Sequence, residues 1–227
     1  METGARVVRR FEQELDELKQ KLLEMSTLVE AAVQRSVSAI TQKDRSAAEQ
    51  VFRDEIRIDQ IQFEIDEAAI NLLATQQPVA ADLRLVVVAL KINTDLERMG
   101  DLSVHIAQRA ISLLAEPVIK PMVDIRHMSA LVESMVRKSL DAFIMSDADL
   151  ARSVLASDNA VDSLRTASYH ELVSWMERDP ASIPQALDLM GVTRSLERIA
   201  DHSTNIADDV LFLVKGIQRR HHAEAKH

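Results

Sequence analysis

Residues that break helices are so rare along this chain that few folds remain open to it. There are five prolines and four glycines in 227 residues. The prolines cluster at three places: Pro78, Pro117 with Pro121, and Pro180 with Pro184. A β-sandwich or barrel needs a turn signal every ~8–12 residues, so that class is excluded. Between the prolines, apolar residues recur at helical period: Met25, Leu28, Val29, Ala32, Val33 and Ile40 form one face, and Met128, Leu131, Val132, Met135, Val136 and Phe143 another. Asp44 and Asp147 stand where a short carboxylate caps the orphan N–H groups of a new helix. The pattern predicts an all-α fold of six long helices over about 5–42, 45–76, 79–115, 121–145, 148–178 and 182–217. The polar tail 218–227 is expected to fray.

Composition removes further classes. The chain is 47% apolar, enough for a real core, and has no cysteine, so disulfides, thiolate nucleophiles and zinc–thiolate sites are absent. The longest apolar run, Leu85 to Leu90, is far too short to span a bilayer. No signal-peptide stretch follows Met1, and the expectation is a cytoplasmic protein without a membrane span. Net charge is −9, the wrong sign for a nucleic-acid partner but suited to a cation.

The chain also matches itself. At an offset of 103, residues 25–44 coincide with 128–147 at Met25, Ser26, Leu28, Val29, Glu30, Val33, Ser36, Ala39 and Asp44. At an offset of 100, residues 96–107 coincide with 196–207 at Leu96, Glu97, Arg98, Asp101, Ser103, Ile106 and Ala107. The offset changes near Pro78 and the Pro180/Pro184 pair, in a connection, where a length change costs little. The chain is therefore expected to be a tandem repeat of two three-helix bundles, 1–117 and 118–217, followed by the tail.

Acid pairs four residues apart are no more frequent than chance placement of 36 acids would produce. Their placement is informative. Glu55/Asp59 maps onto Asp158/Asp162, and Glu97/Asp101 onto Glu197/Asp201, whereas Glu12/Asp16 has no mate and reads as solvated surface. Like charges at i and i+4 weaken a helix by ~0.2–0.5 kcal/mol per pair. Keeping them in helices two and three of both copies calls for a compensating partner. A divalent or trivalent metal ion is the simplest, since hard ions favour carboxylate oxygens. The competing reading is salt bridging to Arg57, Arg98 or Arg198 on solvated faces.

Other residues carry weaker signals. His105 continues the Glu97–Asp101 row, its mate being Asn205, and reads more simply as a hydrogen-bonded histidine than as a ligand. His202 points about 100° from Asp201. Gly100 suggests close helix packing near the acids, although its mate is Ala200. The single Glu-x-x-His, Glu224 with His227, lies in the tail, so no ferritin-like centre is encoded. No phosphate-binding loop, nucleophile elbow, zinc-protease motif or dinucleotide fingerprint is present, and no enzyme is expected.

The stretches Leu96-Glu97-Arg98-Met99-Gly100-Asp101 and Leu196-Glu197-Arg198-Ile199-Ala200-Asp201, with Gln77-Pro78-Val79-Ala80-Ala81-Asp82-Leu83-Arg84 at the entry to helix three, resemble the PhoU family of phosphate-signalling regulators. The resemblance covers about residues 6–217 and is specific because the motif is doubled. It implies a cytoplasmic, usually dimeric negative regulator of phosphate uptake and of the phosphate-starvation response. Such a regulator would act as an adaptor between the ATPase subunit of a phosphate ABC transporter and a membrane sensor histidine kinase. It further implies metal ions, with iron, zinc, manganese or magnesium as candidates, on Glu55, Asp59, Glu97, Asp101, Asp158, Asp162, Glu197 and Asp201. Ala200 in place of the motif glycine, and His105 in place of an asparagine, argue that the two sites are not equivalent. The alternative is a metal-dependent hydrolase or phosphatase acting on a phosphorylated partner.

Overall fold

The computed structural model describes residues 2–78, 81–114 and 124–215. Six helices follow in chain order: α1 (Glu2–Thr41), α2 (Arg45–Gln76), α3 (Ala81–Leu114), α4 (Ile125–Met145), α5 (Ala148–Arg178) and α6 (Ile183–Lys215), with a short 3₁₀ turn at Pro180–Ser182 before α6. The joint expected at Pro117–Pro121, the expected helix ends at 79, 115, 121 and 217, and the tail all lie outside the described residues. The fold is all-α, with α1–α3 and α4–α6 as two three-helix bundles.

Local sequence accounts for the boundaries. Asp44 caps α2 by accepting from the Ala47 N–H at 3.1 Å, and Asp147 caps α5 by accepting from Asp149 and Leu150 at 2.8 and 3.0 Å. The side chain of Asp124 does the same for α4 through His127 N–H. With glycine so scarce, the chain turns out of α1, α2 and α4 through Lys43, Gln77 and Ser146, each at positive φ. That left-handed position usually goes to glycine. The 3₁₀ turn reflects the Asp179-Pro180 pair, since a proline in the first turn forfeits no needed donor.

Burial follows a three-four spacing. In α1 it runs through Leu15, Leu18, Leu22, Met25, Val29 and Val33, and in α2 through Val51, Ile58, Ile61, Ile65 and Leu72. These are the stripes of long helices packed nearly along one another. Met25, Met99, Met128 and Met135 fill the core between them. The one buried acid of α2, Asp54, is satisfied by Arg35 of α1 and by Gln50 at 3.0 Å.

The helices α1, α3, α4 and α6 make a central layer, and α2 and α5 pack on opposite sides of it. The bundles meet through antiparallel pairs. Lys91 of α3 reaches Asp209 of α6 at 2.6 Å, while Arg137 of α4 reaches Glu30 of α1 at 3.3 Å. A pseudo-two-fold relates the halves. The repeat mates of Lys91 and Asp209 are Gly191 and Arg109, and Gly191 lies directly against the Arg109 side chain. A Cβ there would lie 2.8 Å from Arg109 Cδ. One end of the α3–α6 crossing is thus tied by an ion pair and the other by a close fit.

Candidate functional site

The acid pairs sit where α2 meets α3 and where α5 meets α6. Asn93 sets the antiparallel register in the first repeat, donating to the Gln62 carbonyl at 3.1 Å and to Asp66 at 2.8 Å. In that register Glu55 and Asp59 of α2 stand level with Glu97 and Asp101 of α3. Gly100 allows the approach: a Cβ there would lie 3.2 Å from Ile58 Cδ1. Ile58 and Gly100 each immediately precede a site aspartate, so core packing places the carboxylates. The close packing expected from Gly100 is present.

Electrostatics join the four acids into one group. Burial pushes the Glu55 carboxyl above its ordinary value, and the charges of Asp59 and Asp101 push it further. Asp59 is raised by burial and by Asp101. Glu97 is raised by burial, then by Asp101 and Asp59, against an opposing pull from Arg98. Four half-buried carboxylates thus stand together on two packed helices, and three of them are held above their ordinary values by burial and by their neighbours' charge.

The second repeat places its acids alike but surrounds them differently. Glu197 is raised by burial and by Asp201 and Asp162, yet Arg165 and Arg194 oppose this, Arg165 through an ion pair at 3.3 Å. Asp158 and Asp162 are half-buried on α5, and Asp201 is exposed. The repeat mates of Arg165 and Arg194 are Gln62 and Thr94, so two cations face the second site where the first has neutral side chains. That exchange was the available sequence signal for the asymmetry, and reading only the acids missed it.

Salt bridging accounts for part of the set. Arg98 lies 3.4 Å from both Glu97 and Asp101. Arg57, another expected partner, instead spans Glu24 at 2.7 Å and Glu64 at 3.2 Å. His105 is exposed, and Asp16 of the unmatched pair lies 3.6 Å from Lys19. His202 is half-buried. Its Nδ1 lies 2.7 Å from Asp95 of α3, and Asn205 donates to the same oxygen at 3.2 Å, so this pair joins the two bundles.

The donor set fits a hard cation in kind: oxygen-only, anionic and held on rigid helices. Among the described residues, no three His, Asp or Glu side chains converge closely enough to ligate one ion. Glu55, Asp59, Glu97 and Asp101 are the side chains that would hold such an ion in the first repeat. No helix among the described residues is long and apolar enough to cross a membrane.

Comparison with known proteins bears on both repeats. The PhoU domain model matches residues 22–110 and again 125–210. The phosphate-specific transport system accessory protein PhoU homolog of Pseudomonas putida is 42% identical over 216 residues, which is 95% of this chain and 84% of that protein. The homolog of Aquifex aeolicus is 38% identical over 94% of this chain and 97% of its own length. The crystal structure of PhoU from Pseudomonas aeruginosa superposes with a TM-score of 0.89 at 41% identity, covering 91% of this chain and 100% of that one. The phosphate transport system regulatory protein PhoU from Streptococcus pneumoniae gives 0.86 at 30% identity, over 92% and 99% of the two chains. Matched in both repeats and over nearly all of its length, the chain belongs to the PhoU family.

Proposed function

We propose that this chain is a cytoplasmic negative regulator of phosphate uptake and of the phosphate-starvation response. Family membership supports a regulatory, non-catalytic role in phosphate signalling, and the curated relatives are named as accessory proteins of phosphate-specific transport. The finer reading makes it a homodimeric adaptor between the ATPase subunit of a phosphate ABC transporter and a sensor histidine kinase. Metal ions would be held by Glu55, Asp59, Glu97 and Asp101, and by Asp158, Asp162, Glu197 and Asp201. Bound metal would neutralise clustered charge and fix α2 against α3, linking metal state to the shape of a docking face.

The observation that carries this reading is the family match in both repeats, together with the packing that sets Glu55 and Asp59 of α2 level with Glu97 and Asp101 of α3. The test is co-purification of the full chain with the transporter ATPase and the sensor kinase, with and without chelator. Capture of both partners, lost on chelation and in a Glu97→Gln/Asp101→Asn variant, is expected. Failure to capture either partner, in a strain whose phosphate response also ignores the variant, would overturn it.

A further inference from the structure

The outer face of α2 carries a feature that the acid site does not use. Ile56, Phe63 and Ile70 stand on it at intervals of seven residues, 57%, 71% and 61% exposed. A single exposed apolar side chain is ordinary, but three on one helical line form a stripe. Gln60 and Glu67, also exposed, sit between them. In the α2–α3 register set by Asn93, Val87 of α3 stands level with Ile70 and is itself 40% exposed.

The repeat supplies an internal control. The matching positions on α5 are Asn159, Thr166 and Val173, two polar and the third half-buried. The same helix in the same scaffold therefore folds without the stripe, so folding does not require it.

Charge identifies the occupant. Along one edge of the stripe run Glu55, Asp59 and Asp66, with Glu97 and Asp101 across the groove and Glu67 within the stripe. On the other edge Arg57 is already engaged by Glu24 and Glu64, and Lys21 by Glu64. The surface is thus apolar with an acidic rim that Arg98 offsets only in part, while the exposed Arg53 stands on the other edge. Metal held by the four site carboxylates would lessen the charge at their end of the rim and leave Asp66 and Glu67 as its acids. A second copy packed antiparallel about Phe63 would set Ile56 against the other copy's Ile70, but would also press the two acidic rims together. A basic partner has no such conflict.

We propose that the outer face of α2 docks an amphipathic helix of another protein, with apolar residues on one face and Lys or Arg along the edge over Asp59 and Asp66. This rests on the adaptor reading and gives that adaptor a specific contact surface. The test is site-specific photo-crosslinking of the full chain in cells, with benzoylphenylalanine at Phe63 and, as control, at its mate Thr166. Position 63 is expected to form an adduct with a helical segment bearing a basic edge. Position 166 should form none, and the adduct should fall at least tenfold in a Gln60→Lys/Glu67→Lys variant. Adducts to a second copy of this chain, to lipid or to an acidic segment would overturn the proposal, as would no adduct at all. The two readings fail separately. No adduct at 63, with phosphate control still disturbed by Glu97→Gln/Asp101→Asn, removes the docking face and leaves the adaptor. A basic-helix adduct on a protein without influence on phosphate control removes the adaptor and leaves the face.

Discussion

Replacing Gly100 with alanine tests whether core packing sets the spacing of the first acid site. The new Cβ would lie 3.2 Å from Ile58 Cδ1 and 3.3 Å from its Cγ2, closer than ordinary van der Waals contact. Ile58 is 1% exposed and cannot swing away into solvent. Helix propensity alone favours alanine over glycine by about 1 kcal/mol. Overpacking a filled core costs typically about 1–3 kcal/mol, so the balance is a net loss of up to about 2 kcal/mol. The second repeat shows how this conflict is resolved: Val161 stands where Ile58 does, and Ala200 where Gly100 does. Ile58→Val removes Cδ1, the nearer of the two contacts, keeps Cγ2, and by itself costs about 0.5–1.5 kcal/mol. The double variant should therefore be more stable than the sum of the singles, with a favourable coupling of about 1 kcal/mol or more. Urea unfolding of the four proteins measures this cycle. Additive effects would refute the claim that Ile58 and Gly100 are fitted to one another.

Acid titration provides a second check. Glu55, Asp59 and Glu97 are raised, so the folded chain takes up protons more readily than the unfolded one, and stability rises as pH falls toward the ordinary carboxylate range. Glu64 is lowered by Lys21 and then Arg57 and acts oppositely, but only once pH falls below the ordinary range. The urea midpoint of metal-free protein should therefore climb from pH about 7 to about 5 and then drop; a steady decline from neutrality contradicts this. Arg165→Gln with Arg194→Thr gives the second site the neutral surroundings of the first, and calorimetric titration with Mn²⁺ should show about tenfold tighter binding there. Unchanged binding would deny the arginines that role. Asp95→Ala leaves His202 and Asn205 without their shared acceptor and should cost about 1–3 kcal/mol in urea unfolding; no loss would mean the bond contributes nothing to joining the bundles.

Much of the fold is legible because its determinants are local. Asp44 and Asp147 cap the helices they were expected to cap, Pro78 and Pro180 fall between α-helices and Pro184 in the first turn of α6, since capping and proline geometry act within a few residues. The repeat offset placed acids at equivalent points on paired helices because a conserved offset transmits helix register. Ion-pair choice was not legible. Arg57 was expected beside the site acids but turns to Glu24, a residue 33 positions away, because it points toward α1 rather than α3. His202 finds Asp95 across 107 positions only once α3 and α6 cross antiparallel. The short 3₁₀ turn at Pro180–Ser182 was not foreseen in the connection between the last two helices, since three residues carry no period.

We propose above that the matched carboxylates hold cations. Metal analysis of the full chain, purified without chelator and dialysed against trace Fe, Zn, Mn and Mg, tests it most directly when set beside a Glu55→Gln/Asp59→Asn/Glu97→Gln/Asp101→Asn variant. Metal bound to the parent chain, falling by half or more in the variant while helix content holds, is the predicted result. A parent chain without metal above background, or a variant that binds as much, would contradict it.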